Sequence, residues 1–203
     1  MKQLLVAIGI TILTSFFFFT FNTVWLPAVN TKMALAALAI PLFFIRGAQS
    51  RNSIPAYGMI GLSVLGAIVS LIGIFSVIIN NTGDYTYASY FISMYVWLGG
   101  AYVVTRAMEA AYGKVTIRLV GNFLIAVCVV QCILAQIIHA VPAVANVVDG
   151  FMVSTGFMGK HETRLYGIGC ALDVAGLRFC TVLLMATFFA LTPVSKKHKT
   201  VER

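Results

Sequence analysis

Charge is what this chain has least of. Only 10% of its 203 residues are charged, and just six are acidic, too few to clothe a sizeable soluble domain in hydrated groups. Cysteine is scarce as well. Of the four, Cys128 and Cys132 lie inside one apolar run and Cys180 opens another, which excludes a disulfide framework; only Cys170 falls between runs. There is no internal repeat and no low-complexity linker. No small-x-small cleavage site follows the first apolar run, so that run reads as a membrane helix rather than a signal peptide. The basic residues are in excess, giving a formal charge of +8, yet they are spread among short loops. Without a basic stripe, a nucleic-acid partner is excluded.

What the chain has in abundance is apolar length. Hydrophobic residues make up 60% of it and the mean hydropathy is +0.95. Six apolar segments, at about residues 4–21, 33–45, 57–79, 88–105, 119–141 and 175–192, approach the length needed to cross about 30 Å of hydrocarbon. The expected fold class is therefore all-α: a polytopic membrane protein of about six transmembrane helices, residues 1–203 forming a single domain whose partner is the lipid bilayer. The second segment is short, so it either borrows residues from the preceding Trp25 to Lys32 stretch or dips into the membrane supported by its neighbours. Small residues in the third and fourth segments, Gly66, Ser70, Gly73, Gly99 and Gly100, suit close helix packing.

Basic residues set the expected orientation. With the N-terminus cytoplasmic, the inner loops carry ten of the fourteen lysines and arginines, so both termini are placed inside. The outer side then receives Asp84, Asp149, Glu162 and Asp173 with two exceptional arginines, Arg164 and Arg178. The longest connection lies there, an external loop within residues 142–174. A connection that long in a compact membrane protein is usually functional or disordered. Its first part, from Val144 to Met152, is expected to form a short interfacial helix ending near Gly150.

The second part carries the candidate chemistry. Gly167 and Gly169 free the backbone from a continuous helix, and successive N–H groups in such turns make an anion-binding concavity. Guanidinium groups bind phosphate through paired, charge-assisted bonds and stay protonated, so Arg164 and Arg178 are the expected anion ligands. Along one unbroken helix these two would stand about 21 Å apart; the glycines must fold the chain back, or only one arginine binds. Asp173, between them, is an acid, a base or the orienter of Arg178. His161 and Glu162 flank the motif as substrate-binding or proton-moving groups. The competing use of the same residues is structural: arginines as interfacial anchors, or paired with Glu162 and Asp173.

Other patterns have plainer readings. Cys128, Cys132 and His139 share a helix face but read as packing groups and a helix-end hydrogen bonder, so no metal site is expected. Asn122, Gln131 and Gln136 suit interhelical hydrogen bonds. Tyr85, Tyr87 and Tyr90 suit an aromatic belt, with sugar stacking as the alternative.

The Arg164-Leu165-Tyr166-Gly167 motif, in an external loop before a membrane helix, resembles the large loop of the O-antigen ligase and oligosaccharide repeat-unit polymerase group of membrane glycosyltransferases. The Leu26-Pro27-Ala28-Val29-Asn30-Thr31-Lys32 turn after the first apolar run is also similar to that group. The resemblance implies a metal-independent, cofactor-free glycosyltransferase of the bacterial cytoplasmic (inner) membrane, acting on polyprenyl-diphosphate-linked oligosaccharide. Arg164, and less directly Arg178, would hold the diphosphate leaving group. It covers only the N-terminal half of such an enzyme. A partner chain or a C-terminal half is expected to supply the remaining catalytic residues, and the isolated chain is not expected to be active. The rival expectation is a small six-span transporter or accessory protein without catalysis, against which stands the lack of charged residues deep in the apolar segments.

Overall fold

The computed structural model describes residues 2–49, 56–153, 165–170 and 172–192. They form seven helices and one two-stranded hairpin: α1 (Lys2–Phe18), β1 (Asn22–Thr23), β2 (Leu26–Asn30), α2 (Thr31–Gln49), α3 (Ala56–Asn80), α4 (Tyr90–Tyr112), α5 (Ile117–Ala140), α6 (Pro142–Phe151) and α7 (Leu172–Leu191). The mostly helical architecture follows the apolar segments. Among the described residues two helical stretches, Ile60–Asn80 and Ile117–Ala140, are long and apolar enough to cross a membrane.

Helix α1 sits centrally, packing on α2, α4 and α5; α3 leans on α4, and α7 on α5. Its buried contacts form two layers. Ile10 joins Val104, Met108 and Phe123, while Phe19, just past its end, joins Val127, Cys128, Cys170, Ala175 and Val182. The small residues lie where backbones approach. A Cβ at Gly99 would meet Ala36 at 3.2 Å, and one at Gly100 would meet the Phe17 ring at 2.8 Å.

The hairpin corrects the expected first span. Helix α1 stops at Phe18 rather than reaching residue 21, and the stretch expected to extend the second segment is mostly strand, with only Thr31 and Lys32 joining α2. Asn30 explains that boundary. Its side-chain oxygen accepts from the Met33 N–H at 2.8 Å, an N-cap bond that starts a helix there and not earlier. Thr31 then locks the hairpin to α1: its hydroxyl donates to the Phe16 carbonyl at 2.7 Å and its N–H to the Phe21 carbonyl at 3.0 Å.

The expected interfacial helix is α6, which starts two residues earlier, at Pro142. Proline fits a first helical position because its missing N–H would have had no partner. The chain leaving α6 runs along the hairpin: the Val24 N–H donates to the Phe151 carbonyl at 2.9 Å and the Val153 N–H to the Asn22 carbonyl at 3.0 Å.

Helix α4 starts with help from another helix. Ser89, at its N-cap position, makes no side-chain capping bond; instead Ser70 of α3 accepts from the Phe91 N–H at 2.8 Å. Ser70 is itself buried. Replacing Ser70 with alanine strips a helix start of its acceptor and should cost about 1 kcal/mol, read as a lower Tm of the detergent-solubilised chain; an unchanged Tm would mean that another group caps α4.

Candidate functional site

The site forms where α1 ends. The hairpin, the first turns of α2 and α7, the last turn of α5 and all of α6 converge at this end of the molecule. Between α6 and α7 the described chain makes one tight turn, Gly167 to Cys170. Its ends bond each other twice, Gly167 N–H to Cys170 carbonyl at 2.9 Å and Cys170 N–H to Gly167 carbonyl at 3.3 Å. Gly169 takes a φ of +67°, a conformation that side chains with a Cβ disfavour. The expected break in the helix is therefore real, and α7 begins only at Leu172.

Two contacts seat this turn. A Cβ at Gly169 would fall 2.5 Å from the Phe19 carbonyl oxygen and 3.1 Å from that of Thr20, so the turn lies directly on the chain leaving α1. Beneath it Gln131, only 2% exposed, donates from its amide nitrogen to the Ile168 carbonyl at 2.9 Å and to the Ser15 hydroxyl at 3.3 Å. Gln131 thus ties α5 to α1 and to the turn at once, more than the interhelical bond expected of it. Its carbonyl oxygen is buried without a hydrogen-bond partner and lies against Gly167, where a Cβ would collide with it. The glycines serve packing as well as backbone freedom.

Of the expected anion ligands, Arg178 is described and half-buried. From the second turn of α7 its guanidinium carbon lies 5.6 Å from the Phe19 ring centroid and 5.9 Å from that of Phe18, a cation on aromatic faces. Among the described side chains no carboxylate pairs with it; the ion pair there, Arg106 with Glu109, is an i,i+3 pair within α4. Asp173 falls in the first turn of α7, with its side chain outside the described residues. Arg164, His161 and Glu162 also lie outside them.

Lys32 is the residue that sequence reasoning passed over. Sitting in the first turn of α2, it stretches across Gly100 and places its ammonium nitrogen 3.5 Å from the Trp97 ring centroid. Trp97 in turn meets Phe17 edge-on at 5.6 Å. Lys32 and Arg178 thus both stand on aromatic rings grouped at the end of α1. The signal was present in the sequence, since Lys32 is a basic residue next to an apolar run and is not among the ten placed on the inner side.

Remaining groups fall away from this centre. Cys128 is buried in the cluster around Phe19, whereas Cys132 is exposed and so is His139, so the three present no common interior face. Tyr85, Tyr87 and Tyr90 are exposed near the start of α4. Tyr166 clips the turn to α6: its hydroxyl donates to Asp149 at 3.0 Å. Burial and that carboxylate push the Tyr166 hydroxyl up to about 12.

Comparison with protein-family models, with curated proteins and with solved structures finds no match.

Two outcomes test this geometry. Substituting Gly169 with alanine forces a Cβ into both an unfavourable φ and the Phe19 carbonyl, and should cost more than about 2 kcal/mol; a thermal melt showing no loss would place the turn elsewhere. For Tyr166, the folded state holds its proton up to about pH 12 while the unfolded chain releases it near pH 10. Stability should therefore fall as pH rises through that window. Tyr166→Phe should flatten the decline, and an equal decline in the variant would show that Tyr166 does not cause it.

Proposed function

We propose that this chain is a six-span membrane protein of the bacterial cytoplasmic membrane, part of an O-antigen polymerase or ligase-like system handling polyprenyl-diphosphate-linked glycans. In this reading α1, α2, α3, α4, α5 and α7 span the bilayer and α6 lies along its outer surface. The apolar exterior supports this. Along α3, Ile72, Phe75, Ile78 and Ile79 are all more than half exposed, a continuous apolar surface that water does not tolerate. At the end of the helices away from the hairpin stand Lys2, Arg106, Lys114 and Arg118, the distribution of a cytoplasmic face. The hairpin, the glycine turn and α6 then face outward.

The observation that carries the functional reading is Arg178: an obligate cation, half-buried on the rings of Phe18 and Phe19 beside a glycine turn, with no partner carboxylate among the described side chains. A guanidinium held this way in low-dielectric surroundings attracts a phosphate oxygen strongly. In the proposed reaction an acceptor hydroxyl attacks the glycosidic carbon and passes its proton to Asp173 as base, the bond from that carbon to the lipid diphosphate oxygen breaks, and Arg178, with Arg164, stabilises the negative charge that collects on the departing lipid diphosphate.

The test uses the full chain in its native membranes with whatever polypeptides accompany it. Arg178→Ala and Arg164→Ala should each cut glycan extension or ligation at least tenfold, the loss of one charge-assisted contact, with insertion and abundance unchanged. Arg178→Lys should retain part of the activity because the charge remains while the fork of donors is lost. Full activity of the alanine variants at normal protein levels would remove these arginines from the site.

A further inference from the structure

Two half-buried cations stand at the end of α1, brought there by different helices. Lys32 belongs to the first turn of α2 and Arg178 to the second turn of α7, and both helices begin at this end, so both direct the positive ends of their dipoles toward it. Aromatic rings floor each cation: Trp97 lies beneath the ammonium, and Phe18 and Phe19 beneath the guanidinium. The rings close one side of each group, leaving donor N–H groups for whatever lies on the other. Like charges held near each other and partly out of water repel. Among the described side chains no carboxylate pairs with either.

We propose that Lys32 and Arg178 together bind one phosphate or diphosphate group, Lys32 from the α2 side and Arg178 from the α7 side. A dianionic group between them replaces one repulsion with two attractions. The chemistry matches: the guanidinium fork engages two oxygens at once, while the ammonium acts as a compact point charge with three donors. Two carbonyls in the last turn of α1 already have partners: Phe16 accepts from the Thr31 hydroxyl and Ser15 from the Phe19 N–H. That the phosphate belongs to a lipid carrier rests on the functional reading above; that the pair binds phosphate does not. The same two cations could instead merely offset the negative end of the α1 dipole, which would make them contributors to folding and indifferent to added anion.

Trp97 supplies the readout, since it lies directly under Lys32 and the only other tryptophan, Trp25, is removed by Trp25→Phe. The full chain carrying that change, in nanodiscs, is titrated with farnesyl diphosphate, with inorganic pyrophosphate and with uncharged farnesol while Trp97 fluorescence is followed. Saturable binding of farnesyl diphosphate is expected, with no response to farnesol. Lys32→Gln should weaken it about tenfold or more, as loss of a charged hydrogen bond does, and Lys32→Arg should restore most of it. Should Lys32→Gln fail to fold, amine labelling of the unmutated chain decides: the diphosphate should protect Lys32 and leave Lys114 reactive. Unchanged affinity in Lys32→Gln, or no protection of Lys32, overturns the two-cation site, and if Arg178→Gln still weakens binding the functional reading survives. Pyrophosphate binding as tightly as farnesyl diphosphate upholds the site and removes the lipid carrier. No saturable binding of either diphosphate to the folded chain overturns both.

Discussion

The burial of Phe19 is the constraint on which the hairpin end of the molecule depends. Its side chain is completely shielded, wedged among α1, α5, α7 and the glycine turn. To put it there α1 must end one residue earlier and the chain must turn away. That change of direction exposes the Phe19 and Thr20 carbonyls on the side where the turn at Gly169 comes down. A residue with a side chain at Gly169 could not approach so closely, and without the turn Phe19 would lose part of its cover. The core and the loop specify each other.

The polar contacts at this end are few and shared. Gln131 serves α1 and the turn with one amide, Thr31 serves α1 and the hairpin with one hydroxyl and one N–H, and Asn30 caps α2. In surroundings so apolar each such bond is costly to leave unmade, which makes a small number of side chains decisive for geometry. The opposite end is organised differently. There Arg106 pairs with Glu109 on its own helix, and Arg118 reaches the Phe189 carbonyl at 3.4 Å. At the end of α1 stand Lys32 and Arg178, with no carboxylate paired to either among the described side chains.

How much of this was legible depended on the range of the interaction involved. Helices α2 to α5 and α7 were visible as apolar runs, and α6 as a short segment from Val144 to Met152, two residues late at its start, because length and hydropathy are local properties. The hairpin was not. Phe16 to Phe21 reads as a continuation of α1, and only the burial of Phe19 and the capping by Asn30, contacts made across the fold or across a turn, end one helix and delay the next. At the site, the glycines and Arg178 announced themselves by residue type. Lys32 did not, because its significance lies in reaching Trp97 and the neighbourhood of Arg178, 65 and 146 positions away.

By itself the sequence determined the mostly helical architecture, the break at Gly167 and Gly169, and the presence of arginines beside it. These follow from hydrophobic runs and from backbone freedom, which neighbouring residues suffice to define. Only the tertiary structure decided that the turn rests on the end of α1, that Gln131 holds it from below, and that Lys32 lies over Trp97 at the same end. Those are meetings of segments distant in the chain, and they arise because Phe19 must be buried and the few polar groups around it share partners in the little space that remains.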